Sequence, residues 1–117
     1  MAYSIEYFHP KVLAYIESWP AGLLASQLRL VQLLVDHGPA LKLPYSRAMG
    51  DGLFELRPNG KSNSGRSLYC FLKGQRIVIV HAFIKKTAQT PDSDLKLALK
   101  RIKELKNAWH EVPTSAA

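Results

Sequence analysis

Residues 77–84 read IVIVHAFI, an apolar run broken only by His81, and the run ends abruptly on Lys85 and Lys86. Preceded by the turn residues Lys73-Gly74-Gln75, it predicts a buried strand over 76–84. SLYCFL at 67–72 predicts the strand before it. LFELR at 53–57 predicts one earlier still, closed by Pro58-Asn59-Gly60, with KSNSG at 61–65 extending the turn into a flexible hairpin tip. Near the start, YSIEYF at 3–8 alternates well enough for a first strand, and His9-Pro10 breaks it.

Elsewhere the period changes from two to 3.6. Val12, Ile16 and Trp19 place a short helix over 11–18. Leu24, Leu28, Val31, Leu34 and Val35 mark an amphipathic helix over 22–37, stopped by Gly38-Pro39. The short turn between the two predicts an antiparallel helical hairpin. A last helix over 92–107 sets Leu95, Leu99, Ile102 and Leu105, with Trp109 beyond, on one face. Lys96, Lys100, Lys103 and Lys106 lie around the other. Thr90 suits its N-cap, Pro91 its first turn, and Asp92 and Asp94 the positive end of its dipole. Residues 40–52 have no period and contain Pro44, Gly50 and Gly52, which predicts a loop. The order is β-α-α-β-β-β-α: an α+β fold with an N-terminal strand and helical hairpin, an antiparallel meander covered on one face, and a C-terminal helix.

Length and composition fit one domain over 1–117, with a flexible tail at 111–117. No apolar run approaches the roughly 18 residues of a membrane span. The N-terminus lacks the basic-then-apolar order of a signal peptide, and the single cysteine, Cys70, has no internal partner, as suits a reducing cytoplasm. Charge changes the picture more. The formal net charge is +7, and residues 56–91 hold no Asp or Glu at all. The same stretch carries Arg57, Lys61, Arg66, Lys73, Arg76, Lys85 and Lys86, a positive field suited to a polyanion.

Three segments in sequence carry a family resemblance: LFELRPNG at 53–60, GRSLYCFLKG at 65–74 and IVIVHAFIKKTAQTP at 77–91, followed by a Leu- and Lys-rich helix. In these the chain resembles the RelE/ParE superfamily of bacterial toxins, and within it the phage-derived, HigB-like branch. The resemblance implies a RelE-like, microbial-ribonuclease-like fold and the toxin of a toxin–antitoxin pair. It further implies cleavage of messenger RNA at the ribosome and a helix-turn-helix antitoxin as partner. The gyrase-poisoning branch shares the fold without being a ribonuclease, so a non-catalytic inhibitor using the Lys96 to Lys106 surface is the alternative.

Metal-independent RNA cleavage needs no cofactor. A base must take the ribose 2′-proton, and cations must offset charge growing on the phosphate. Arg57 and Arg66 flank one hairpin, match basic positions of the family and suit phosphate binding, or else an ion pair with Glu55 or Glu6. Lys85 and Lys86 match the FxKK position. Alternation lets at most one of them share the face of Phe83, and a solvated turn is the plainer reading. Lys61, Lys73 and Arg76 are candidate RNA-backbone contacts. Tyr69 could stack on a base or belong to the core, while Phe83 suits the core. His81 reads as a satisfied buried histidine, with an acid/base role as the other option. Some RelE-type toxins carry a tyrosine near the C-terminus, and some HigB relatives use two histidines as acid and base. No tyrosine follows Tyr69, and His9, His37, His81 and His110 fall on separate elements, so the general base stays open.

Overall fold

The computed structural model describes residues 2–116, with side chains described as far as Asn107. Strand β1 (Ser4–Tyr7) leads into helices α1 (Pro10–Glu17) and α2 (Ala21–His37), and a short 3-10 turn (Gly38–Ala40) follows. Strands β2 (Ser46–Gly50), β3 (Leu53–Leu56), β4 (Gly65–Leu72) and β5 (Arg76–Ile84) come next, and then helix α3 (Asp92–Ala116). The flexible tail expected over 111–117, like Trp109, falls where side chains lie outside the described residues.

The strands form one five-stranded sheet in the order β1-β5-β4-β3-β2. Strands β2 to β5 are antiparallel neighbours, as the meander requires, while β1 pairs parallel to β5. The sheet is therefore mixed. Helices cover both faces rather than one. Val12, Ile16, Leu23, Leu30 and Leu34 of α1 and α2 pack with Tyr69, Ile77 and Ile79 on one side. On the other, Ala98 and Ile102 of α3 pack with Leu53, Leu68, Val78 and Val80. Burial on both faces is why 77–80 reads as continuous hydrophobe without alternation.

Three expectations are corrected. The loop over 40–52 contains strand β2, whose sequence SRAMG has no β-branched or aromatic residue to announce it. It is held by pairing with β3 across a turn at Gly50, Asp51 and Gly52, all at positive φ. The buried stripe of α2 is rotated from the expected one. Leu23, Gln27, Leu30 and Leu34 face the sheet, and Leu28 is exposed. Gln27 on that stripe disguised it as polar. Thr90 does not cap α3; its hydroxyl donates to Glu55 Oε2 at 2.7 Å, and the Pro91 carbonyl accepts from the Leu95 amide.

Gly65 opens β4 directly beneath Trp19. A Cβ there would lie 2.8 Å from the indole ring, closer than atoms can approach. Gly65→Ala is therefore expected to destabilise the fold by about 1–3 kcal/mol through overpacking, read as a lower urea midpoint.

Candidate nucleic-acid site

Alternation along the strands builds the site. Arg47 on β2 pairs with Glu55 on β3, Glu55 with Leu68 on β4, and Leu68 with His81 on β5. In the neighbouring row Arg66 pairs with Phe83. The Arg57 amide donates to the Tyr45 carbonyl at 2.9 Å, carrying the β2–β3 ladder one step further. The Lys85 amide likewise donates to Ser64 at 2.8 Å, extending the β4–β5 ladder. Side chains two apart share a face. Arg47, Glu55, Arg57, Arg66 and Lys85 thus emerge on the α3 side, at the end of the sheet that α3 leaves uncovered.

Together with Phe83, Ala88 and Thr90 they line a small hollow of about 50 Å³. Four cations surround one carboxylate. Glu55 is only 2% exposed; it accepts one hydrogen bond and forms ion pairs with two of the arginines. Its Oε1 lies 3.5 Å from Arg66 Nε and 3.8 Å from Arg47 Nε, and its Oε2 takes the Thr90 hydroxyl. Arg66, 5% exposed, also donates from Nη1 to the Gly65 carbonyl at 2.6 Å. One nitrogen is hydrogen-bonded and a second faces Glu55, so the guanidinium is oriented before any ligand arrives.

The crowding of charge moves protons. Burial lowers the Arg66 pKa, Glu55 opposes the shift, and Arg57 and Arg47 add to it. Lys85 is also lowered, chiefly by the neighbouring Arg66 guanidinium, then by desolvation and Arg57, against the pull of Glu55. A lysine beside three arginines gives up its proton more easily than one in water. An anionic phosphate entering the hollow would satisfy the uncompensated charge, and Lys85 in its neutral form would accept a proton there.

The other candidate residues divide sharply. Lys86 is exposed and does not line the hollow. Lys61 is exposed on the hairpin between β3 and β4, at the same end of the sheet but outside the hollow. Lys73 and Arg76 lie at the opposite end, separated from Arg66 by the length of β4, roughly 23 Å at about 3.3 Å per residue. Arg76 there binds Glu6 through two hydrogen bonds of 2.6 and 2.8 Å. Neither belongs to the cationic site. Tyr69 is core: 1% exposed on the opposite face, it stacks on Phe54, and its hydroxyl hydrogen-bonds Ser46. No base can reach it.

His81 is half-buried, with Nε2 2.6 Å from Asp94 Oδ1. Its orientation comes from a bulge. Leu68 pairs with His81 but Tyr69 with Ile79, so Val80 is an extra residue and both Val80 and His81 turn toward α3. Sequence reasoning missed Arg47, Glu55 as an organiser, and Thr90. Glu55 did leave a signal, a single acid in the apolar strand LFEL, since a buried carboxylate demands cationic partners. Among the described residues no three metal-ligating side chains cluster, and no helix is long and apolar enough to cross a membrane.

The family described as "Phage derived protein Gp49-like" matches residues 14–103, most of the chain. The chain belongs to this phage-derived Gp49-like family. Among curated proteins no sequence relative matches. Of solved structures, the archaeal RelE–RelB complex from Pyrococcus horikoshii OT3 contains a similar fold. The TM-score is 0.52 at 19% identity, covering 77% of this chain and all of that one. The Gp49-like chain therefore has the RelE-like fold that the three segments implied.

Proposed function

We propose that this Gp49-like protein is a metal-independent endoribonuclease that arrests translation by cutting messenger RNA at the ribosome, and that a cognate antitoxin holds it inactive. The observation that carries this reading is the convergence of Arg47, Arg57, Arg66 and Lys85 on one hollow against a single carboxylate. In the proposed reaction Arg66 and Arg57 grip the non-bridging oxygens of the scissile phosphate, where forked donors are strongest. Neutral Lys85 removes the 2′-hydroxyl proton. The 2′-oxygen bonds to phosphorus, the bond to the 5′-oxygen breaks, and that oxygen takes a proton from solvent. A 2′,3′-cyclic phosphate and a 5′-hydroxyl remain. Arg66, buried and held in place, offsets charge as it grows on the phosphate without having to reorganise.

Dependence on the ribosome, the helix-turn-helix character of the antitoxin and a cytoplasmic location follow from the resemblance to HigB-like toxins. That the similar fold occurs in a complex of RelE with RelB supports a protein partner. Expression of the protein without an antitoxin is expected to stop incorporation of labelled amino acids within minutes, and Arg57→Ala to relieve the arrest. Arg57 is half-buried and has no side-chain partner among the described residues to strand, which makes it a cleaner probe than Arg66. Arrest undiminished by Arg57→Ala together with Lys85→Ala would rule the reading out.

A further inference from the structure

We propose that the hollow between α1 and α3, along the open edge of β5, is a second nucleotide subsite. It takes the base of the nucleotide next to the scissile phosphate, and so rests on the ribonuclease reading. β1 pairs with β5 only from Arg76 to Ile79, so past Ile79 the outer edge of β5 has no strand beside it. The gap opens into a hollow of about 390 Å³. Lys11 and Tyr15 of α1 form one wall, Asp94 and Arg101 of α3 the other, and His81 and Phe83 the floor.

Phe83 also lines the cationic hollow, so one ring separates the two spaces. A polymer whose phosphate sits beside Arg66 and Lys85 has its next nucleotide within reach of this floor. The floor suits a base. His81 and Phe83 have ring centroids 6.0 Å apart and planes inclined by 31°, and Tyr15 is 42% exposed above, steadied edge-on by Trp19. Unpaired bases are held by such faces, which do not discriminate strongly among them. The polar groups are already oriented. Asp94 holds His81, while Arg101 donates to the Val80 carbonyl at 2.6 Å and lies over the Phe8 ring. Lys11 and Arg101 outnumber Asp94, a positive balance that suits a base flanked by its own phosphates.

The test uses wild-type protein in a translation reaction whose message carries 4-thiouridine. Irradiation is expected to join RNA to Tyr15 or His81 as well as to residues of the cationic hollow. Crosslinks confined to the cationic hollow would overturn the subsite and leave the ribonuclease reading standing. With no crosslink anywhere, the ribonuclease reading fails and the subsite with it. In parallel, Tyr15→Ala is expected to raise KM for message cleavage about tenfold, the scale of one lost base stack, with kcat and melting temperature kept. An unchanged KM overturns the proposal, including the outcome in which the substitution weakens only antitoxin binding and so assigns the hollow to the protein partner.

Discussion

Lys85→Ala is expected to slow message cleavage by about 10²–10⁴-fold, the contribution of a positioned acid–base group. Lys85→Arg is the informative companion. It restores the positive charge but cannot lose a proton at any working pH, so binding should recover while the rate does not. If arginine restores the rate, Lys85 acts by charge alone. The wild-type rate should rise with pH and level off below the ordinary lysine value of about 10.4, because Arg66 lowers the Lys85 pKa. The sign for stability runs the other way. With the folded pKa below the unfolded one, the unfolded chain binds the proton more tightly, and the charged lysine weakens the fold until pH climbs through that window. Removing Lys85 should therefore leave the melting temperature unchanged or slightly raised. Loss of activity with retained stability marks a residue kept for function.

Glu55→Ala should do the opposite. Glu55 and Arg66 are both almost wholly buried, and Arg47 and Thr90 lean on the same carboxylate. Deleting it strands a buried guanidinium, at a cost of about 3–5 kcal/mol. Urea unfolding should show a large fall in midpoint with little change in slope. Glu55→Gln keeps the shape and can still accept from Thr90, so its loss should be smaller. A Glu55→Ala protein as stable as wild type would mean that Arg66 escapes to solvent when unpaired, and that the hollow is not preorganised.

These two residues also mark what could be seen in the chain alone. The buried run at 77–84, the acid-free stretch and the hairpin between Arg57 and Arg66 point to the end of the sheet where Arg57, Arg66 and Lys85 converge. Charge density pointed to the region because three of the hollow's cations, Arg57, Arg66 and Lys85, lie in a stretch with no acid. It could not separate Lys73 and Arg76 from Arg66. All three lie in the same stretch of sequence, yet β4 carries them to opposite ends of the sheet. Tyr69 looked like a stacking platform since an aromatic among cations reads the same on either face of a strand. Only its register opposite Phe54 turns it inward. Arg47 was hidden by SRAMG, a strand made by its neighbours rather than by its own propensity. The bulge at Val80 was equally silent, and it alone turns His81 toward Asp94.

The most direct measurement is the chemistry of the cut ends in a purified translation reaction containing this protein and a single message. Fragments should end in 2′,3′-cyclic phosphate and begin with 5′-hydroxyl, and they should vanish when Lys85 is replaced by alanine. Intact message, or fragments that begin with 5′-phosphate, would show that the cationic hollow does not cleave RNA by attack of the ribose hydroxyl.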